Sequence, residues 1–319
     1  MMKTLETPEQ TVTRVDIRTE KLDKPRDKKS DERKASLKVW IDGKLLDKAD
    51  AKVSVYDHGL LYGDGVFEGI RCYAGRIFEC EAHVRRLYDS AKAIRLKIPI
   101  TPQDFTAAME QTIKANNFVD CYIRAVVTRG VGSLGIDPAR CAKASVIIIA
   151  DQVSIYPREM YDKGIEVITA SIIRNHPNAC SPRIKSLNYL NNILARIEAN
   201  DAGVSEAVML NYEGYVAECT ADNIFIVRDG TVMTPTITDG ILEGITRQVM
   251  LKLCARLGIP CQARRMERID LYTADEMFLT GTGAEVMPVS KVDRRVIGNG
   301  QVGPITKKLI AEFHRHVRE

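Results

Sequence analysis

The sequence has few of the features that mark metal-binding, secreted or membrane-spanning proteins. Its 319 residues include eight cysteines, but no C-x-x-C pair, no H-E-x-x-H segment and no histidine–cysteine cluster, so we predict no metal site. The longest apolar runs, such as residues 146–150, are far shorter than the ~20 residues needed to cross a bilayer. Residues 1–20 have no apolar core of a secretory signal, which favours reduced thiols and a cytoplasmic location.

The sequence also lacks a strong excess of one charge. The 46 basic and 42 acidic residues give a net charge of +4, so no chain-wide positive field favours a nucleic-acid partner. Hydrophobic residues make up 45% and charged residues 28%, as is typical of a soluble globular protein. The length allows one large domain or two ordinary ones.

Residues 1–36 are predicted to be a charged, mobile N-terminal tail. About half of this segment is charged and aromatic residues are absent, so it has too little apolar surface to offset the entropy of ordering. A basic arm for RNA or a transit peptide is the alternative. Acidic residues such as Asp16, Glu20 and Asp23 alternate with the bases and argue against both.

Residues 37–150 are predicted to form an N-terminal α+β domain. Strand and turn patterns cover Val39 to Gly43 and Val66 to Gly75. Helical spacing follows over 81–96, and Thr101-Pro102 begins a second helix. Residues 151–161 contain Pro157 and show no clear period, which is typical of an interdomain linker.

Residues 162–319 are predicted to form a second, C-terminal domain of mixed helix and strand. Its expected strands are 165–173, 207–210, 223–227 and 276–280, and its expected helices are 186–200, 246–257 and one at the C terminus. The fold class is therefore α/β (α+β).

One lysine stands out because a helix is predicted to begin beside it. Ser186 can cap a helix with the apolar face Leu190, Ile193, Leu194 and Ile197, which places Lys185 near positive backbone dipoles. Such an environment disfavours the ammonium form, and a neutral amine can form a Schiff base. A lysine at this place is otherwise an ordinary surface residue.

Two glycine-containing segments are suited to hold a phosphate. Gly244-Ile245-Thr246 precedes a predicted helix, and Thr280 to Ala284 is a loop with hydroxyl groups; both offer free N–H groups. Either can also be a simple capped turn. Arg86 is a candidate anion clamp or a solvated helix residue. Glu218 lies among apolar residues and so needs a partner.

The glycines of the segment 62–69 are spaced G-x-G-x-x-x-G and lead into β-rich sequence. A dinucleotide-binding site needs a different spacing and a following helix. This segment therefore predicts a tight turn into a strand.

Taken together, the motifs from residue 37 onward resemble the fold-type IV pyridoxal phosphate enzymes, and most closely the branched-chain amino acid aminotransferases. Seven segments occur in the order typical of that family. They are Tyr62 to Arg71, His83 to Leu87, Tyr122-Ile123-Arg124, Lys185 to Tyr189, Glu218 to Phe225, Gly244 to Arg247 and Gly281 to Glu285. The resemblance implies two α/β domains with pyridoxal 5'-phosphate at their interface.

The resemblance also implies roles for residues around the cofactor. Lys185 would be the catalytic residue and form the Schiff base, Glu218 would bind the pyridine nitrogen, and Tyr189 would bond the phenolic oxygen of the ring. Arg86, Ile245, Thr246 and Thr282 would hold the phosphate.

By the same resemblance, the Tyr122-Ile123-Arg124 segment points to the branched-chain enzymes. Tyr122 and the loop that includes Gly283 and Ala284 would receive the α-carboxylate, and Arg124 the distal carboxylate of glutamate. Tyr62, Phe67 and Gly69 would line the pocket, and apolar walls discriminate weakly between methylenes, so leucine, isoleucine and valine are all expected substrates.

The implied activity is a reversible ping-pong transfer of the amino group from these L-amino acids to 2-oxoglutarate, by a homodimer or an assembly of dimers. A D-amino acid aminotransferase or an aminodeoxychorismate lyase of the same fold is the alternative. A non-catalytic scaffold or nucleic-acid binder that uses the charged tail is a third reading. No membrane partner is expected.

Overall fold

Two β-sheets with helices packed against them form the described part of the chain. The structure is a computed structural model that describes residues 37–152 and 155–319. The predicted tail, residues 1–36, lies outside the described residues. Within the described ranges, no helix is long and apolar enough to cross a membrane.

The first sheet has six antiparallel strands in the order β2-β1-β6-β5-β3-β4. The strands are β1 Lys38–Ile41, β2 Lys44–Asp47, β3 Gly65–Tyr73, β4 Arg76–Ile77, β5 Cys121–Thr128 and β6 Ser145–Asp151. The accompanying helices are α1 His58–Tyr62, α2 Cys80–Ala93 and α3 Pro102–Ala115, with a 3₁₀ turn at Pro138–Arg140.

Helices α2 and α3 pack on this sheet around one apolar core. Leu87 on α2 and Phe105 on α3 are buried with Ile70 on β3 and Ile123 on β5. The predicted start of α3 is confirmed, because the Thr101 hydroxyl accepts from the Asp104 N–H while the Asp104 carboxylate accepts from the Thr101 N–H, a reciprocal cap.

The second sheet has nine strands in the order β12-β11-β10-β13-β14-β7-β8-β9, with β15 paired to β14. They are β7 Ile165–Thr169, β8 Glu206–Leu210, β9 Val216–Cys219, β10 Asn223–Arg228, β11 Thr231–Thr234, β12 Cys261–Ala263, β13 Glu276–Gly281, β14 Glu285–Val292 and β15 Arg295–Val296. The helices are α4 Arg158–Lys163, α5 Pro177–Cys180, α6 Leu190–Asp201, α7 Ile245–Arg256, α8 Arg268–Tyr272 and α9 Pro304–His316, with a 3₁₀ turn at Ile237–Asp239.

Both faces of the second sheet are buried. Along β10, Ile224 and Ile226 pack into one core, while Phe225 and Val227 face the core made with α7 and α9. Alternation of side chains along a strand places successive residues on opposite faces. A strand buried on both sides therefore appears in the sequence as a continuous apolar run.

Strand β7 is shorter than predicted. It ends at Thr169. The Ala170 N–H still donates to the Val208 carbonyl of β8 at 2.8 Å, whereas the Ser171 N–H donates to the Glu198 carboxylate at 2.7 Å. At Ser171 a side-chain acceptor therefore takes the place of a strand neighbour. Helix α4 lies partly within the predicted linker 151–161, and the division into two domains stays a prediction.

Candidate active site

The backbone on either side of Lys185 pairs with strand β3 through an isolated bridge between Ser186 and Val66. The Phe67 N–H donates to the Lys185 carbonyl at 3.0 Å, and the Leu187 N–H donates to the Gly65 carbonyl at 3.0 Å. The first sheet therefore fixes the lysine backbone through main-chain hydrogen bonds, although the lysine lies far along the chain from that sheet.

This pairing shows that the predicted helix start was wrong. Helix α6 begins at Leu190, its first turn has no side-chain cap, and Ser186 does not cap it. Tertiary pairing with β3 overrides the local preference of these residues for a helix. Lys185 is therefore not at the helix N-terminus, where the macrodipole would act on its amine, because that effect is confined to the first turn.

The Lys185 amine lies among aromatic side chains. Its Nζ donates to the Tyr189 hydroxyl at 3.2 Å and lies 4.7 Å from the centroid of the Phe67 ring. The Phe67 and Tyr189 rings meet edge to face at 5.1 Å. The structure thus brings the predicted lysine together with two of the aromatic residues predicted for the cofactor and the substrate.

Lys185, Tyr189 and Glu218 line a single cavity, together with Arg174, Thr220 and Leu242. The Glu218 carboxylate is buried and accepts from Arg174 Nε at 2.8 Å, Asn223 Nδ2 at 3.0 Å and the Leu242 N–H at 2.9 Å. Burial raises the pKa of the Glu218 carboxyl, while the Arg174 guanidinium and the N–H donors stabilise its anion.

Arg86 is held by a buried carboxylate on β3. Its Nε and Nη2 donate to the two oxygens of Glu68 at 2.7 and 2.8 Å, and His83 Nδ1 lies 2.8 Å from the same group. Although burial raises the pKa of Glu68, Arg86 and His83 lower it to about 2. Arg86 Nη1 donates to the Glu243 carbonyl at 2.8 Å, so the guanidinium joins β3 to the loop before α7.

The N-terminus of α7 follows directly. Gly244 is its N-cap and has no side chain to satisfy the first N–H groups, and a Cβ at this position would lie 1.9 Å from Asn223 Oδ1. Ile245 and Thr246 form the first helical positions and are buried. Because the first N–H groups of a helix have no intrahelical partner, this end is suited to an anion.

The loop that contains Thr282, Gly283 and Ala284 joins β13 to β14. It lies at the end of the second sheet where β10 begins. Thr280 pairs with Asn223, which bonds Glu218. Asn223 thus links this end of β13 to the cavity.

Four of the residues predicted to bind the substrate share one face of the first sheet: Phe67, Gly69, Tyr122 and Arg124. Gly69 pairs with Arg124 in the register of β3 and β5. The Tyr122 hydroxyl lies against Gly69, where a Cβ would meet it at 2.0 Å. The Arg124 guanidinium stacks on Phe67 at 4.5 Å and lies 5.6 Å from the Tyr122 ring.

The structure does not bring Tyr62 to the Lys185 cavity. Tyr62 ends α1, is exposed, and its hydroxyl accepts from the Gly135 N–H at 2.9 Å. It is not among the residues that line the cavity. In this single chain the tyrosine faces the loop after β5.

The sequence analysis missed four polar residues that hold the site together: Glu68, Arg71, Arg174 and Asn223. A signal existed for Glu68, because a carboxylate within the apolar run Val66 to Ile70 requires a partner. Arg174 is 44 residues from Glu218 in the chain, and no local pattern links them.

Comparisons with known proteins agree with this geometry. The family described as amino-transferase class IV matches residues 65–292. A chain of Methanocaldococcus jannaschii, provisionally named a branched-chain-amino-acid aminotransferase, is 50% identical over 277 residues, which cover 87% of this chain and 95% of the relative.

Solved structures of branched-chain amino acid aminotransferases share the fold. The Escherichia coli enzyme has a TM-score of 0.86 at 36% identity, and its match covers 88% of this chain and 94% of the solved chain. The Thermobaculum terrenum enzyme, solved in its holo-form with pyridoxal phosphate, has a TM-score of 0.81 at 33% identity, and its match covers 89% of this chain and 94% of the solved chain. The chain therefore belongs to the class IV aminotransferases and has the fold-type IV architecture.

Proposed function

We propose that this protein is a branched-chain amino acid aminotransferase that uses pyridoxal 5'-phosphate. It would transfer the amino group of L-leucine, L-isoleucine or L-valine reversibly to 2-oxoglutarate. The observation that carries the proposal is the single cavity lined by the Lys185 amine, the Tyr189 phenol and the Glu218 carboxylate. The sequence identity of 50% and 42% to two relatives named branched-chain-amino-acid aminotransferases supports branched-chain amino acids as the substrates.

The side chains present have the chemistry that the cofactor requires. Lys185 offers an amine, Tyr189 a hydroxyl donor and Glu218 a carboxylate for a pyridine nitrogen. At the phosphate end, we assign Arg86, the N–H groups of Ile245 and Thr246, and Thr282. Gly244 supports this assignment, because as N-cap it provides no side chain to accept from the first N–H groups of α7.

When bound, the cofactor supplies a pyridine ring that withdraws the electron pair left behind when the substrate's α-proton departs. Lys185 Nζ would carry that proton from the α-carbon to the cofactor, and in the second half of the reaction it would carry a proton in the opposite direction. The bond from Nζ to Tyr189 Oη at 3.2 Å orients the amine. The Glu218 carboxylate, fixed by Arg174, would keep a proton on the ring nitrogen.

The shared face of β3 and β5 would bind the substrate. Tyr122 and the N–H groups of Gly283 and Ala284 would take the α-carboxylate. Phe67 and Gly69 would contact the aliphatic side chain. Arg124 makes no hydrogen bond with the rest of the described chain, so its N–H donors are available for the distal carboxylate of 2-oxoglutarate.

A homodimer, alone or in a larger assembly of dimers, is supported by the outward face of α6. Asn192, Ala195 and Ala199 are the buried residues of this helix. Its large aliphatic side chains are 42 to 67% exposed; they are Leu190, Ile193, Leu194 and Ile197. A continuous apolar stripe of this kind is typical of a face that another chain covers.

The oligomeric state can be measured by light scattering during size-exclusion chromatography. We expect Leu194→Glu to reduce the mass towards that of a monomer, while Lys308→Glu on the exposed side of α9 leaves it unchanged. A wild-type protein of monomeric mass would contradict the dimer.

The decisive experiment measures oxoacid formation from a panel of L- and D-amino acids with 2-oxoglutarate. We expect turnover of leucine, isoleucine and valine by protein that is yellow and reducible by borohydride. Preferential turnover of D-alanine, or release of pyruvate from aminodeoxychorismate, would contradict the proposal and favour the other members of the fold.

A further inference from the structure

Arg71 is an arginine of β3 that the proposed function does not use. It lies on the same face as Phe67 and Gly69, because alternate residues of a strand share a face, and it pairs with Tyr122 in the register. Arg71 therefore lies on the same face of β3 as Phe67, which is beside Lys185, but farther along the strand.

From this position Arg71 reaches the β13–β14 loop of the other sheet. Its Nε donates to the Thr282 carbonyl at 3.3 Å, and its Nη2 donates to the Gly283 carbonyl at 2.7 Å. Two nitrogens of one planar guanidinium thus bind two successive carbonyls, which a single ammonium group does not reproduce.

Two tyrosine hydroxyls bond the next two residues of the loop. The Tyr161 hydroxyl donates to the Ala284 carbonyl at 3.2 Å, and the Tyr73 hydroxyl donates to the Glu285 carboxylate at 2.6 Å. Glu285 has a φ of +58°, a conformation that is uncommon outside glycine and that these bonds help to maintain.

The carbonyl bonds determine where the N–H groups of the loop point. In a trans peptide the carbonyl of one residue and the N–H of the next lie in one plane and point in opposite directions. The Thr282 carbonyl therefore directs the Gly283 N–H away from Arg71, and the Gly283 carbonyl does the same for Ala284. In the described ranges neither N–H donates to a backbone acceptor.

We propose that Arg71 is a positioning residue that fixes the Gly283 and Ala284 N–H groups for the α-carboxylate of every substrate. This inference rests on the proposed function for the identity of that ligand. The proposal gives the two arginines of the shared face different roles. Arg124 binds the distal carboxylate of glutamate and 2-oxoglutarate, whereas Arg71 acts on the binding of the α-carboxylate, which all substrates have.

The test compares Arg71→Gln, Arg71→Lys and a matched control, Arg76→Gln, on the neighbouring strand β4. In Arg71→Gln we expect the KM values of leucine and of 2-oxoglutarate to rise by a similar factor of about 10, with kcat changed much less. The affinity of the protein for 4-methylpentanoate, which has the carboxylate but no amine, should fall by the same factor. Arg71→Lys should lose less, and the control should match the wild type.

Hydrogen exchange of the peptide that covers the loop supplies a readout that does not depend on activity. We expect faster exchange of this peptide in Arg71→Gln, through the amides that pair β13 with β14 beside the loop, with a smaller effect in Tyr161→Phe. If Arg71→Gln does not fold, Arg71→Lys is used with the same criteria.

Unchanged loop exchange together with less than a threefold change in KM and in 4-methylpentanoate affinity would overturn the role of Arg71. Losses that differ widely between leucine and 2-oxoglutarate would also overturn it. A wild-type protein that does not transaminate leucine would instead refute the proposed function, and the exchange measurement would still decide whether Arg71 orders the loop.

Discussion

Replacement of Arg124 by glutamine tests how one pocket accepts both an aliphatic and an acidic side chain. In the described chain the Arg124 guanidinium makes no hydrogen bond and stacks 4.5 Å from the Phe67 ring. Its planar fork is thus free for a carboxylate, while its face covers an aromatic wall.

The expected losses follow from these two contacts. A hydrogen-bonded pair with a charged group contributes about 1.5–3 kcal/mol, which corresponds to a loss of about 10- to 100-fold in kcat/KM for glutamate and 2-oxoglutarate. For leucine, the variant removes only the stacking of the guanidinium on the Phe67 ring. This loss of about 0.5–1 kcal/mol corresponds to a decrease in kcat/KM of up to about fivefold. The two substrates should therefore differ clearly.

The measurement is single-turnover kinetics of each half-reaction, followed by the absorbance of the cofactor with leucine or with glutamate as the donor. Arg124→Lys is the matched variant, since it keeps the charge but not the fork, and an intermediate loss for glutamate is expected. Equal losses for leucine and glutamate in Arg124→Gln would refute the reasoning, because they would mean that Arg124 binds the common α-carboxylate or only supports the wall.

Three further predictions concern the amine, a buried ion pair and the tail. Lys185→Ala should abolish transamination and borohydride-stable labelling without changing the circular dichroism spectrum, because both reactions need the amine; turnover above a trace would contradict its role. Glu68 has a pKa of about 2 in place of 4.5, so its pair with Arg86 stabilises the fold above about pH 4.5 by on the order of 3 kcal/mol, and this contribution is lost as the pH falls towards 2. Urea unfolding at several acidic pH values should show a weaker pH dependence in Glu68→Gln, and equal slopes would contradict the assignment. Deletion of residues 1–34 should leave kcat and Tm nearly unchanged, because the segment has few apolar groups, and a large loss of either would show that it contributes to the body of the protein.

Local patterns in the sequence were sufficient for the long helices and for several of the strands. The capped start of α3 at Thr101 and the continuous apolar run of β10 depend on neighbouring residues, so they could be predicted without a structure. Seven short motifs, which include those of Lys185 and Glu218, also identified the family, because they occur in the order typical of it.

The start of α6 could not be predicted, because it depends on a distant strand. Main-chain hydrogen bonds from β3 to Lys185 and Leu187 keep these residues outside the helix. The partners of Glu218 and of the β13–β14 loop depend on contacts across the chain: Arg71 is 212 residues from Gly283. The outward direction of the apolar α6 face was also decided by packing, since alanines fill the narrow contact with the sheet and leave the larger side chains outside. Sequence determined which side chains carry the chemistry, and tertiary structure decided which of them meet, because hydrogen bonds and packing act on distance in space and leave no periodicity in the chain.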